Sequence, residues 1–208
     1  QRMTNLDNRL MAEIAFAAGI TAGLQDPLQD FACFEKNTTV EQNIKSAQYV
    51  FRLMGYYAER GVILTLDFDG ILPHGVFPLS VDISGIVAEA ILAAEQGVKS
   101  IIPRSFLLGH IGQDIAWARL TRRLVREYLD KFGYKDVVTP ALFIDMIPLF
   151  PYPKDMGFSF GFLSYSAMVA AMAEVEAVAI RTIDESAGIP TKEAHAVSHR
   201  AAKWILDV

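Results

Sequence analysis

Charged side chains stand where three of the five strand-like segments of this 208-residue sequence end. Asp67 ends the second segment and Asp69 follows it, Arg104 ends the third, and Arg181 ends the fifth, with Glu185 four residues later. Chemistry in parallel α/β folds collects at the carboxyl ends of the strands. A guanidinium group binds a carboxylate or phosphate through a bidentate fork. The spacing therefore predicts a site for an anionic ligand, and the alternative is that these charges are solvated or paired with one another.

Other polar and aromatic residues give weaker signals. Arg2 precedes the first helical segment, where an earlier strand would end. His195 and His199 are four residues apart on a helix but lack the intervening glutamate of a metalloprotease helix, so a surface pair is favoured and no metal site is predicted. The aromatic residues of 150–162, among them Tyr152, could cover a pocket, although packing is the commoner role for such a run.

The chain alternates short apolar segments with longer amphipathic ones. The predicted helices are 6–18, 40–60, 80–96, 112–132, 164–175 and 191–206, and the predicted strands are 20–25, 62–67, 98–104, 137–143 and 177–182. Thr191 is predicted to cap the last helix. This alternation is typical of a parallel sheet with helical crossovers, which defines an α/β fold.

Two closures of such a sheet are possible, an open doubly wound sheet or a (β/α)8 TIM barrel. Five complete strand–helix units are present, whereas a full barrel takes about 250 residues. The sequence is therefore predicted to be a single TIM-barrel-like catalytic domain over 1–208, the later part of a barrel. An isolated five-strand arc has two open edges, so a further segment or partner is expected to close it.

Composition excludes several classes of protein. The sequence is 52% apolar and 21% charged with a net charge of −5, which is unlike a disordered chain or a nucleic-acid binder. A single cysteine, Cys33, excludes a disulfide framework. The most apolar stretch, about 164–180, is interrupted by Glu174 and Glu176, so no membrane span is predicted. We expect a cytoplasmic protein without nucleic-acid or membrane partners.

One local motif indicates a different activity. The residues from Ile63 to Gly70, which include Asp67 and Asp69, resemble the first motif of haloacid-dehalogenase-type phosphatases. In such enzymes the first aspartate is a nucleophile and the second a general acid, with magnesium assisting. The downstream motifs of that family are not evident, so this function is kept as an alternative.

Four segments together resemble the large (epsilon) subunit of glutamate mutase, also called methylaspartate mutase. They are Arg9-Leu10-Met11-Ala12-Glu13-Ile14, Ala93-Ala94-Glu95-Gln96-Gly97-Val98-Lys99, Gln113-Asp114-Ile115-Ala116 with Arg119, and Gly188-Ile189-Pro190-Thr191-Lys192-Glu193-Ala194. The resemblance covers nearly the whole sequence with little need for gaps. It corresponds to the later part of the family's barrel.

The resemblance implies an isomerase that performs an adenosylcobalamin-dependent carbon-skeleton rearrangement. Cobalamin in this family is held mainly by a separate small subunit with an Asp-x-His-x-x-Gly motif, which is absent from this sequence. The implied partners are that small subunit or domain, a small carboxylic-acid substrate and a second copy of the chain. A barrel that serves only as a scaffold or assembly partner is the non-enzymatic alternative.

The resemblance also implies roles for single residues at the substrate. Arg2 falls on an arginine that binds a substrate carboxylate, and Arg104 is a further candidate for that role. Leu24 falls where the family has the glutamate that contacts the substrate amine. Asp30 and Phe34 occupy the positions of two substrate-contacting tyrosines. Glutamate is therefore not the expected substrate, and another carboxylic acid is.

A second group of residues is implied to face the cofactor. Glu185 falls on the glutamate that contacts the adenosyl ribose, and Arg181 replaces a lysine beside it. Asp67 stands at a family glutamate position near the site, so Glu185 and Asp67 are the catalytic candidates. Asp69 and Pro73 replace a phenylalanine and a threonine that line the adenosyl pocket.

Overall fold

The structure of the chain is a computed structural model, which describes residues 7–29, 37–70, 78–140, 143–145 and 152–208. Arg2, Asp30, Phe34 and Pro73 lie outside the described residues. The strands are β1 (Ala22–Leu24), β2 (Thr65–Phe68), β3 (Ser100–Phe106), β4 (Phe143–Asp145) and β5 (Ala177–Ala179). The helices are α1 (Arg9–Ala17), α2 (Pro27–Gln29), α3 (Val40–Ala58), α4 (Leu79–Glu95), α5 (Ile111–Lys131), α6 (Met156–Ala173) and α7 (Lys192–Asp207).

Most element predictions agree with the structure to within a few residues. The predicted strand 137–143 is described only in part: Val138 forms an isolated bridge to Ser100, Phe143 belongs to β4, and residues 141 and 142 lie outside the described residues. Helix α6 begins at Met156, eight residues before its predicted start, because Asp155 caps it by accepting the Phe158 N–H at 3.0 Å. Helix α2 was not predicted at all.

The chain divides into two compact units, and the first contains Gln1–Arg104 and Thr121–Ala141. Its sheet has three parallel strands in the order β1-β2-β3, with Leu24 opposite Asp67 and Asp67 opposite Ile102. Side chains alternate along a strand. Leu66 and Phe68 are accordingly buried on one face of β2, and Thr65 and Asp67 lie on the other.

Helices α3 and α4 pack against each other in the first unit. Phe51 of α3 and Ile86 of α4 are completely buried. Gly55 brings α3 against the end of α4, because a Cβ at this position would stand 2.7 Å from the carbonyl oxygen of Gln96. The Thr39 hydroxyl fixes the start of α3 in a capping box with Gln42.

The second unit contains Ser105–Leu120 and Leu142–Val208. Its strands β4 and β5 are parallel, with Ile144 opposite Val178. Helix α6 packs on α7, and Leu163, Ala167 and Ala202 lie in the buried cluster between these helices. The sheets of both units are parallel and interleaved with helices, which establishes the α/β class. Closure into a TIM barrel stays a prediction.

Helix α6 is apolar over its whole length. With a mean hydropathy of 1.4 over 18 residues, it is the one helix in the described part of the chain that is long and apolar enough to cross a membrane. Its buried residues include Leu163, Val169 and Ala170. Packing within the second unit accounts for the apolar residues on its buried side, whereas Met156 and Phe158 are exposed.

Candidate functional site

Asp67 and Arg104 meet at the carboxyl end of the first unit's sheet. Both lie on the same face because Asp67 is opposite Ile102, and Arg104 follows Ile102 by two residues. Arg104 Nε donates to Asp67 Oδ1 at 2.6 Å, and Arg104 Nη2 donates to Asp67 Oδ2. This is the bidentate arginine–carboxylate geometry, and the two side chains are only 15% and 20% exposed.

Asp69 continues this network into the interior. Its Oδ1 lies 3.2 Å from Arg104 Nε, and its Oδ2 accepts a hydrogen bond of 2.9 Å from Gln29 Nε2. Gly70 lets the backbone turn directly after Asp69, since its φ is +91° and a Cβ would stand 2.6 Å from Ile86 Cγ1. Two carboxylates thus share one guanidinium group in a largely buried setting.

Asp26 and Glu89 add two more buried carboxyl groups that the sequence analysis missed. Asp26 Oδ1 accepts the Gln29 N–H at 3.2 Å, and Asp26 Oδ2 accepts the Asp69 N–H. Glu89 Oε1 accepts the Leu28 N–H at 2.9 Å. Both carboxyl groups are buried, and the charge of Glu89 acts on Asp26.

The surroundings of Asp26 favour its protonated form. Complete burial raises the pKa of Asp26 well above its ordinary value, and the charges of Glu89 and Asp69 raise it further. Protonation of Asp26 removes one of the two like charges. Signals for both residues exist in the sequence, because Asp26 precedes a proline at a helix start and Glu89 interrupts the apolar run of α4.

Four acids and one guanidinium group therefore form a network around the strand ends of the first unit. We call it the carboxyl network: Asp26, Asp67, Asp69, Glu89 and Arg104. In this structure Arg104 forms ion pairs with Asp67 and Asp69. An incoming substrate carboxylate would have to exchange with Asp67 to use the Arg104 fork. Leu24 ends the adjacent strand beside Asp67.

Arg181 and Glu185 form a second strand-end group, in the other unit. Arg181 follows β5, and its Nη1 lies 3.1 Å from Glu185 Oε1. Both side chains are about one-third exposed, at 34% and 30%. The pair places one cation and one anion where a ligand can reach both.

Asp184 holds the loop that presents Glu185. Its carboxylate accepts hydrogen bonds from the Thr182 hydroxyl at 2.7 Å and from the N–H and hydroxyl of Thr191 at 3.1 and 3.0 Å. These bonds, led by the Thr191 N–H, hold the pKa of Asp184 below its ordinary value. Thr191 in turn caps α7 by accepting the Ala194 N–H, which confirms the predicted cap.

Asp114 organises the loop that follows β3, and the sequence analysis did not single it out for this role. Its carboxylate accepts the N–H groups of Leu108 and Gly109 at 2.9 and 3.1 Å and the Tyr165 hydroxyl at 2.5 Å. Burial raises the pKa of Tyr165, and the hydrogen bond to Asp114 raises it further. This phenol is therefore a hydrogen-bond donor at neutral pH.

The histidine pair on α7 has the geometry of a surface pair. The rings of His195 and His199 are stacked with their centroids 6.2 Å apart, and both residues are exposed. Among the described residues, no group of three or more histidine, cysteine, aspartate or glutamate side chains is arranged to hold a metal ion.

Comparison with known sequences identifies the family. The fold and the charged residues at the strand ends define an α/β domain with a candidate ligand-binding site. The family model described as "Methylaspartate mutase E chain (MutE)" matches residues 1–208. The chain is 37% identical to the glutamate mutase epsilon subunit of Treponema denticola over 202 residues, and it is 37% and 33% identical to those of Desulfitobacterium hafniense and Escherichia coli O157:H7. The chain belongs to the methylaspartate mutase E chain family.

The matches cover 97% of this chain but only 41–42% of the length of these three relatives. Among solved structures, Yersinia pestis DHPS with a pterine-sulfa conjugate gives a TM-score of 0.36 at 11% identity, covering 98% of this chain and 93% of that one. That likeness is too low to support an argument about the fold.

Proposed function

We propose that this chain is the barrel component of an adenosylcobalamin-dependent carbon-skeleton mutase that acts on a small carboxylic acid. The observation that supports this proposal most strongly is the match to the mutase family over all 208 residues. We further propose that 1–208 is a single TIM-barrel-like catalytic domain, the later part of a barrel.

Substrate recognition is assigned to four residues on the basis of the family resemblance. Arg2 anchors a substrate carboxylate, and Asp30 and Phe34 line the substrate. Leu24 is the last residue of β1. Leucine is apolar, so it offers no charged partner to a substrate ammonium group. A charge-assisted hydrogen bond of that kind is worth about 1.5–3 kcal/mol, so an acid without the amino group of glutamate is the favoured substrate.

Arg104 is the second candidate carboxylate anchor, and Asp67 controls it. The Asp67 carboxylate occupies the Nε and Nη2 edge of the guanidinium group in this structure. We propose that Asp67 orients Arg104 and is displaced when the substrate carboxylate takes its place. In either state the guanidinium group of Arg104 has one bidentate carboxylate partner.

Glu185 and Arg181 are assigned to the adenosyl ribose, with Asp69 and Pro73 lining the adenosyl pocket. The described donor set fits a ribose, because the carboxylate of Glu185 is about one-third exposed and can accept hydrogen bonds from two neighbouring hydroxyl groups. The Asp184 loop fixes the Glu185 backbone, with the Glu185 N–H donating to the Thr182 carbonyl at 3.2 Å. When bound, adenosylcobalamin supplies the radical chemistry, and this chain binds, orients and shields the substrate from water.

The partners follow from the same assignment. The cobalamin is proposed to arrive on a separate small subunit or domain, since the Asp-x-His-x-x-Gly motif is absent from this sequence. Pairing of the chain with a second copy and a cytoplasmic location are proposed on the family resemblance. No nucleic-acid or membrane partner is proposed.

A scaffold without catalytic activity is the second candidate, and two observations favour it. Leu24 lacks the charge of the family glutamate, and Arg104 is already neutralised by Asp67 and Asp69. The phosphatase alternative has weaker support. Both oxygens of its proposed nucleophile, Asp67, accept hydrogen bonds from Arg104.

Glu185→Gln tests the mutase assignment in the complex with a cobalamin-binding subunit. Because the amide cannot accept at both positions, we expect substrate turnover and adenosylcobalamin affinity to fall while the fold is retained. Glu193→Gln, on the exposed first turn of α7, is the matched control and leaves both unchanged. Unchanged turnover and affinity in Glu185→Gln would contradict the assignment.

A further inference from the structure

The two carboxylates that contact Arg104 differ in their access to solvent. The side chain of Asp67 is 20% exposed, whereas that of Asp69 is only 6% exposed. Arg104 Nε lies 2.6 Å from Asp67 Oδ1 and 3.2 Å from Asp69 Oδ1, so both carboxylates face the same N–H group. The contact with Asp69 does not depend on Asp67, and it can therefore persist when Asp67 moves away.

Gln29 holds the Asp69 carboxylate from the interior. Gln29 is buried at the end of α2, and its Nε2 donates to Asp69 Oδ2 at 2.9 Å. The Gln29 N–H donates to Asp26 Oδ1 at 3.2 Å, and Asp26 Oδ2 accepts the Asp69 N–H. The backbone and the side chain of Asp69 are thus both tied to the β1–α2 turn, while its other carboxylate oxygen faces Arg104.

We propose that Gln29 is a positioning residue for Arg104, on which it acts through Asp69. This inference rests on the proposed function, in which a substrate carboxylate displaces Asp67 from the Arg104 guanidinium group. A guanidinium group released by its only partner would regain rotamer freedom, which substrate binding would then have to restrict again. Because Gln29 fixes Asp69, the Nε edge of Arg104 keeps its orientation during the exchange. Asp67 is the exchangeable partner of Arg104, and Asp69 is the fixed one.

The Nε–H signal of Arg104, in a nitrogen–proton correlation spectrum of the isotopically labelled full chain, reports this positioning. Arg104→Lys identifies the signal by its disappearance. Asp67→Ala represents the state without the exchangeable partner, and its Arg104 Nε–H should still exchange slowly with water. Adding Gln29→Met to Asp67→Ala should accelerate this exchange at least about tenfold, as for the loss of a charge-assisted hydrogen bond. If that double variant does not fold, Asp69→Asn replaces Gln29→Met in it, with the same expected result.

Tyr165→Phe is the matched control for the destabilisation that Gln29→Met causes. It also removes a side-chain donor to a buried carboxylate, that of Asp114, but in the second unit. Added to Asp67→Ala, it should leave the exchange rate of the Arg104 Nε–H unchanged. Equally slow exchange in Asp67→Ala with and without Gln29→Met would overturn the role of Gln29, and so would equal acceleration by Tyr165→Phe.

Titration with succinate, a small dicarboxylate without an amino group, separates failure of this inference from failure of the proposed function. Succinate should shift the Arg104 signal in wild type, and Gln29→Met should raise the apparent Kd about threefold to tenfold. Equal Kd values in wild type and Gln29→Met would overturn the inference and leave Arg104 as a carboxylate anchor. A signal that succinate does not shift, in wild type or in Asp67→Ala, would overturn the anchor itself, whereas the exchange rates still decide whether Gln29 orients Arg104.

Discussion

Glu89→Gln replaces one member of the buried Asp26–Glu89 pair by an amide of the same size. Glu89 Oε1 accepts the Leu28 N–H at 2.9 Å, and the Gln carbonyl can keep that bond while its NH₂ donates to Asp26. The variant therefore preserves the hydrogen bonds and removes the second acid. What changes is the charge that opposes ionisation of Asp26.

The sign of the pH dependence follows from the raised pKa of Asp26 in the folded protein. In the unfolded chain the pKa of an aspartate is about 3.9. Because the pKa of Asp26 is higher in the folded protein, its stabilising contribution is complete below the unfolded pKa and is lost as the pH rises through the folded pKa. One proton corresponds to about 1.4 kcal/mol per pH unit within this window. The wild type should therefore lose stability faster than Glu89→Gln as the pH increases.

Urea unfolding followed by circular dichroism at pH 5, 6, 7 and 8 measures this difference, and the two stability curves should diverge by up to about 1.4 kcal/mol per pH unit. Asp136→Asn is the control, because the ion pair of exposed Asp136 with Lys99 lowers the pKa of Asp136, and its contribution is lost only as the pH falls below the ordinary range. Parallel curves for wild type and Glu89→Gln would refute the effect of the Glu89 charge on the pKa of Asp26.

Three further substitutions test the packing around the strand ends. Arg104→Gln leaves two largely buried carboxylates without their counter-charge and should lower the unfolding free energy by about 3–5 kcal/mol at pH 7. An exposed ion pair contributes at most about 1 kcal/mol, so a loss below about 1 kcal/mol would contradict the network. Gly55→Ala forces a Cβ against a backbone carbonyl and should cost about 1–3 kcal/mol, whereas Gly161→Ala in the open part of α6 should stabilise by up to about 1 kcal/mol. Tyr165→Phe removes the hydroxyl bond to Asp114 and should cost about 1.5–3 kcal/mol; equal urea midpoints would show that this bond is not stabilising.

The order of helices and strands could be predicted because local signals mark it. Thr39 with Gln42 starts α3 where the apolar period begins, and Thr191 starts α7. Residues 137–140 were assigned to a strand because Val137 and Val138 favour a strand locally. Strand formation also depends on hydrogen bonds to a neighbouring strand, and Val138 forms only one bridge.

The candidate site could be predicted as a set of residues but not as a set of contacts. The strand-end rule indicated that Asp67, Asp69 and Arg104 share one edge, and the structure places them in direct contact. This pair of buried acids was missed because Asp26 and Glu89 are distant in sequence. Nothing local in the chain shows that the β1–α2 turn and the middle of α4 meet.

Arg181 and Glu185 illustrate the same limit. Their spacing of four residues after β5 suggested two ligand-binding groups, whereas the geometry shows that they also pair with each other at 3.1 Å. The supporting role of Asp184 depends on Thr182 and Thr191 folding around it. Such positioning contacts follow from the tertiary fold.

The most direct test of the mutase assignment is an anaerobic ultraviolet–visible spectrum of the full chain. The protein is mixed with adenosylcobalamin, its cobalamin-binding subunit and a panel of small carboxylic acids with and without an amino group. A change in the cobalamin spectrum that one acid triggers, with an acid lacking the amino group preferred over glutamate, is the expected result. A spectrum that stays constant with every acid, in a complex shown to be assembled, would contradict catalysis and favour the scaffold.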